Sequence, residues 1–157
     1  FPDLIFAMAI MTFMGKGVLN LFIALGLLTW VRTARMIRGS VIQLKEKEYI
    51  EASRACGAST YWIIMKGLVP NCLSTIIVLV TLGIPNAIMY EASLSFLGIG
   101  IQPPTPSWGN MISAAQTFIS FRPVYSIMPG VAIMITVIAF NIFGDGLRDA
   151  LDPKLKN

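Results

Sequence analysis

Long apolar runs, separated by short polar or charged stretches, set the tightest limit on how this chain can fold. Val18 to Val31, Leu68 to Tyr90 and Val124 to Phe143 are the long ones, and a shorter run covers Leu4 to Met14. About 20 apolar residues in a helix cross the hydrocarbon core of a bilayer. The chain is 55% hydrophobic and only 13% charged, where a soluble domain carries roughly 25% charged residues. Its mean hydropathy is +0.73. The expectation is an all-α, polytopic transmembrane helical bundle with spans at about 1–14 (truncated), 18–37, 68–90 and 124–143.

Each run carries its own irregularity. Leu4–Met14 is too short to span alone, and Phe1-Pro2-Asp3 precedes it without a methionine. No basic n-region or small-residue cleavage site precedes it either, so it is no signal peptide. It reads as the second half of a span, and the chain as the C-terminal portion of a longer subunit. Asp3 then falls inside the membrane region, where carboxylates are costly and often functional. Arg32, Arg35 and Arg38 follow the second run at helical spacing and are expected to snorkel to the headgroups from one face. Pro85 offers no N–H to the carbonyl of Thr81, so a kink is expected there. That kink fits a hinge, a pore lining or a static bend, and Thr81, Pro85, Asn86 and Tyr90 are candidate pathway-lining residues. Asn141 is expected to face other helices. Gly144-Asp145-Gly146 reads as a helix terminator before a charged tail, through Asp152, Pro153 and Lys154, in water.

Orientation follows from the basic residues. Seven of the twelve Lys and Arg residues lie from Arg32 to Lys66, and three more, Arg148, Lys154 and Lys156, lie in the tail. Only Lys16 and Arg122 fall on the opposite side. The loop at about 38–67 and the C-terminus are therefore expected in the cytoplasm, with about 91–123 outside.

Several chemistries are excluded or left without support. The chain has no histidine, which removes imidazole acid–base catalysis and imidazole metal ligands. Cys56 and Cys72 lack CxxC spacing, and both are expected to be free, buried thiols. No GxxxxGK[ST] phosphate loop is present. No catalytic, cofactor or metal site is expected, and no nucleic-acid partner.

The charged insert is the most informative stretch. Lys45 to Cys56 contains no helix breaker, and Tyr49, Ala52 and Cys56 make a narrow stripe at i, i+3, i+7. Gly57 stands where a helix end favours a left-handed residue. Ser59 can cap a second helix, Thr60 to Gly67, whose bulky face is Tyr61, Trp62, Ile64, Met65 and Leu68. Pro70 is expected to redirect the chain into the bilayer. A helix–turn–helix of this kind fits either a groove on a partner protein or a resting place on lipid headgroups.

Glu51-Ala52-Ser53, three residues, Gly57, nine residues, then Gly67-Leu68-Val69-Pro70 resembles the EAA motif of ATP-binding-cassette importer permeases. In that family the pattern is Glu-Ala-Ala, three residues, Gly, nine residues, Ile-x-Leu-Pro. Ser53 replaces the third small residue, Val69 replaces Leu, and Gly67 stands where Ile is usual. The resemblance implies a coupling helix that sits in a cleft of an ATPase subunit, with Tyr49, Glu51, Ala52, Ser53, Cys56, Gly57 and Pro70 as its coupling residues.

A second stretch, Leu97-Gly98-Ile99-Gly100-Ile101-Gln102-Pro103-Pro104-Thr105-Pro106-Ser107-Trp108-Gly109, holds three prolines in four residues and reads as stiff, extended backbone. It is similar to the outer loop of the peptide and nickel importer branch. Gly98, Gly100, Pro103, Pro104 and Trp108 carry the match. The run from Phe140-Asn141 through Gly144-Asp145-Gly146-Leu147-Arg148 to Asp152-Pro153 also resembles that branch, in its second permease.

The family resemblance implies a multi-pass permease of a bacterial or archaeal cytoplasmic membrane, with six spans of which about two precede this chain. Its implied partners are a second homologous permease, two ATP-binding subunits that hydrolyse ATP, an extracytoplasmic solute-binding protein and the lipid bilayer. Short peptides are the implied cargo, with nickel chelates or other small solutes as alternatives. Outside this class, a membrane anchor or scaffold and a channel subunit remain as rival readings. A channel calls for a ring-forming filter, for which only Asp3 and Glu91 are candidates.

Overall fold

A computed structural model describes residues 2–151, and every regular element among them is helical. The first two helices form a hairpin. Helix α1 (Asp3–Met14) meets α2 (Val18–Lys45) through a turn in which Gly15 and Gly17 take φ of +84° and +147°. Side chains with a Cβ rarely adopt such angles. The Asn20 amide closes the turn, donating to the carbonyls of Met14 at 2.7 Å and Gly15 at 3.1 Å. Ala7 and Met11 of α1 bury against Leu21 and Ala24 of α2, together with Leu94 from a later helix. Small residues at the seam let the backbones approach. Packing of this kind holds membrane helices together, because lipid supplies no hydrophobic drive.

Helix α2 runs past all three arginines to Lys45. The chain then turns at Glu46-Lys47, so the helix expected over Lys45–Cys56 begins instead at α3 (Glu48–Ala55). The turn swings Ile50 onto Ile63 and Leu68, and burying such a side chain contributes about 2 kcal/mol. Tertiary burial overrides a locally acceptable helix here.

From Thr60 to Phe96 the chain is one helical rod, built from α4 (Thr60–Trp62), a π-helical stretch (Ile63–Leu68) and α5 (Val69–Phe96). The sharp redirection expected at Pro70 does not occur. The wider π turn shifts the bonding by one residue, so Val69 N–H donates to Ile64 O, and Pro70 enters the first turn of α5. Proline is tolerated there because it has no N–H to offer. Pro85 also lies within α5.

After α5 a bonded loop leads to α6 (Trp108–Ala115) and a 3-10 turn (Gln116–Phe118), then to α7 (Val124–Leu151). Helix α6 packs against both α5 and α7, and α5 packs along α7. Gly144-Asp145-Gly146 does not end α7, which continues to Leu151. A Cβ at Gly144 would meet Leu82 Cδ2 at 2.6 Å, so this glycine sets the close approach of α7 to α5. Asn141 is exposed rather than packed on another helix of this chain, and Cys56 is an exposed thiol whereas Cys72 is buried. The expected tail residues Asp152, Pro153 and Lys154, and Phe1 at the other end, lie outside the described residues. Val18–Lys45, Thr60–Phe96 and Val124–Leu151 are long and apolar enough to cross a membrane.

Candidate functional site

The insert between α2 and α5 folds as a small platform. Ile50, 1% exposed, anchors α3 on Ile63 and Leu68, with Val41, Leu44 and Ala58 around them. Leu68 therefore belongs to the buried face of the second helix, while Tyr61, Trp62, Ile64 and Met65 stay exposed. A Cβ on Gly67 would meet Ile50 Cδ1 at 2.7 Å. With Ile50 in place, glycine is what fits at the position where the related motif has isoleucine. The Gly67 carbonyl also accepts from Asn71 Nδ2 at 2.7 Å and, more weakly, from Tyr49 Oη at 3.4 Å.

The end of α3 is fixed by backbone chemistry. Cys56 N–H donates to Ala52 O, Gly57 N–H to Arg54 O and Ala58 N–H to Ser53 O, with Gly57 at φ +79°. This is a left-handed helix end. Ser59 then caps the next helix, its Oγ accepting from Trp62 N–H at 3.2 Å. Ser53 Oγ donates to Tyr49 O at 2.7 Å, which places that side chain along its own helix. Tyr49, Glu51, Ala52, Cys56 and Gly57 remain exposed. One face of α3 is thus seated by a single apolar anchor and the other is open. Such a face can enter a groove without disturbing the bundle.

The residues expected along a pathway are not brought together. Thr81 is 8% exposed, its hydroxyl donates to Ile77 O at 2.8 Å, and its methyl packs toward Gly144. Pro85 is buried in the same helix. Thr81 is covered where α5 meets Gly144 of α7. Asn86 is exposed, its amide 3.3 Å from Leu82 O. Tyr90 instead reaches Asp3: its hydroxyl donates to Oδ2 at 3.0 Å, where Arg32 Nη2 also donates at 2.8 Å. Arg32 was expected at the headgroups, yet it ties α2 to α1. Sequence reasoning missed this pairing because 29 residues separate the partners.

The loop between α5 and α6 is a bonded cap. Gly98 takes φ +74°, and the Ile99 and Gly100 N–H groups both donate to Leu94 O at 2.9 Å. Ser95, 1% exposed, is its hub: Oγ donates to Glu91 Oε1 at 2.7 Å and accepts from Ile101 N–H at 3.0 Å. The prolines do not run as an extended strand. The chain makes a β-turn around Pro103-Pro104, with Thr105 N–H donating to Gln102 O at 3.1 Å. Ser107 then caps α6 through Asn110 N–H, and Asn110 Nδ2 donates back to Ile101 O at 2.8 Å. Trp108 is half-buried at the start of α6, and Pro103 and Pro104 are exposed. Ser95 and Asn110 carry more of this cap than the prolines, and Ser107, a favoured N-cap residue, was the signal for the start of α6.

Ser95→Ala should remove both hub bonds and leave the Ile101 N–H without a partner. The cost is about 2 kcal/mol, read as a lower thermal unfolding midpoint of the purified full-length permease. An unchanged midpoint would mean that the loop is held without Ser95.

Comparison with known proteins places these features in context. The profile of the family described as binding-protein-dependent transport system inner membrane component matches residues 1–157. The glutathione transport system permease protein GsiD of Escherichia coli O157:H7 is 43% identical over 156 residues, covering 99% of this chain and 52% of that protein. GsiD of Shigella sonnei matches with the same identity and the same coverage of both chains. The chain thus spans about half the length of the curated relatives it matches.

Proposed function

This chain belongs to the family of binding-protein-dependent transport system inner membrane components, and from that premise we propose that it is part of a peptide-importing permease coupled to ATP hydrolysis through α3. The family is one of transport components, not enzymes, so ATP hydrolysis falls to separate ATP-binding subunits. Two such subunits, a second homologous permease and an extracytoplasmic solute-binding protein complete the machine in this proposal. The α3 platform and C-terminus face the cytoplasm and the Ser95 cap faces outward, as the basic residues favour. The cargo is a short peptide. Glutathione, named in the relatives, is a γ-linked tripeptide and falls in that class.

The open face of α3, seated on the long rod by the Ile50 side chain and a long Tyr49 Oη to Gly67 O contact, is the observation that carries the proposal. Nucleotide-driven motion of the ATPase pair would pull α3, and the rod starting at Thr60 would transmit the pull to the spans. Alternating access of this kind requires α3 to bind two states of its partner differently.

Gly57→Val tests it. A β-branched residue at φ +79° is strained by roughly 1–2 kcal/mol, so the end of α3 must change course. Copurification of the ATP-binding subunits with the full-length variant should fall at least tenfold, and peptide uptake with it. Intact association and uptake would sink the coupling role.

A further inference from the structure

Asp3 and Arg32 lie deep along their helices. Asp3 is about 17 Å from the Gly15–Gly17 turn along α1, and Arg32 about 21 Å from it along α2, at 1.5 Å per residue. With that turn near one surface of a core about 30 Å thick, both groups sit well inside. A charged side chain facing lipid tails there costs about 3 kcal/mol even on lenient scales. Yet the Arg32 and Asp3 side chains are 70% and 37% exposed in this chain. Their open side must therefore meet water or another protein surface rather than lipid.

A pocket of about 410 Å³ lies against that open side, lined by Asp3, Phe6, Leu28, Val31, Arg32 and Arg35. Its size falls in the range of small-molecule sites. Arg35, one turn beyond Arg32, has no ion-pair partner among the described residues. Asp3 receives both its hydrogen bonds on Oδ2, which leaves Oδ1 available. Two guanidiniums and one carboxylate leave the pocket one positive charge in excess.

We propose that this pocket is a carboxylate-binding subsite of the transport pathway. Arg35 is its main anion ligand, a spare Arg32 N–H assists, and Asp3 Oδ1 accepts from an ammonium on the same solute. The ligand class is a short peptide bound through its C-terminal carboxylate. A guanidinium fork matches carboxylate geometry, and the apolar wall of Phe6, Leu28 and Val31 accepts side chains of varied shape. The inference rests on the peptide-import reading and adds to it a residue that selects for the free acid.

The test uses the complete importer in vesicles, with the full-length permease and its partner subunits. An equimolar tripeptide library and the same library as C-terminal amides are supplied, and internalised peptides are read by mass spectrometry. Free acids should enter about tenfold better than amides. Arg35→Gln should bring that ratio close to one, with Arg35→Lys between. The same solute-binding protein serves every variant, so its own preference cancels in the comparison. Arg35 makes no hydrogen bond or ion pair among the described residues, and assembly of each variant is checked by copurification. A ratio unchanged by Arg35→Gln overturns the subsite while leaving peptide import standing. Exclusion of both libraries by the unmodified importer overturns the peptide reading and the subsite together.

Discussion

Gly109→Val is expected to prevent the permease from reaching its folded state. A Cβ at this position would run into the Ala92 carbonyl oxygen and lie 2.9 Å from the Ala92 Cα and carbonyl carbon. Those are backbone atoms of α5, which cannot rotate aside as a side chain would. Helix α6 would have to lift away from α5, and its contacts with α7 would go with it. The Asn110 bond to Ile101 O, set one residue later, would break as well. Overpacking typically costs 1–3 kcal/mol and occasionally more. A rigid backbone obstacle puts this case at about 3 kcal/mol or above, a large part of a typical stability. The check is fluorescence-detected size exclusion of the full-length permease, in which the monodisperse peak should nearly vanish. Gly109→Ala should already reduce that peak, because the first carbon added makes the clash.

The glycines show what was legible in the sequence and what was not. Gly57 could be read locally, because a helix end needs one left-handed residue and the neighbours Ser53 to Ala58 supply the bonds. Gly144 could not. In water, Gly-Asp-Gly interrupts a helix, but beside Leu82 the missing Cβ is what lets α7 approach α5. Whether a glycine terminates or packs depends on a neighbour sixty residues away in the chain. Pro70 misled for a related reason, since its cost as a breaker vanishes once the π turn has changed the bonding register. The apolar runs needed no such knowledge, because solvent preference is a property of each residue. The platform at α3 was readable for the same reason, apart from the turn at Glu46-Lys47 that only the burial of Ile50 explains.

Breaking the Asp3–Arg32 pair should be costly from either side and far cheaper when both charges are removed. Arg32→Gln leaves the Asp3 carboxylate inside the membrane with the Tyr90 hydroxyl as its remaining partner. Such an uncompensated charge costs about 3 kcal/mol. Asp3→Asn strands the Arg32 guanidinium at a similar cost, somewhat eased by its greater exposure. The double variant Asp3→Asn/Arg32→Gln places two amides within hydrogen-bond reach and should recover most of the loss. The expected coupling is about 2 kcal/mol, measured by unfolding the full-length permease in lipid bicelles, where the membrane environment is kept. Strict additivity would mean that neither charge depends on the other, so that the 2.8 Å contact does not tie α1 to α2. Recovery of stability has a second use. If the double variant folds well and its peptide uptake stays low, the charges serve the solute, whereas uptake that returns with stability would mark the pair as a structural tie between three helices.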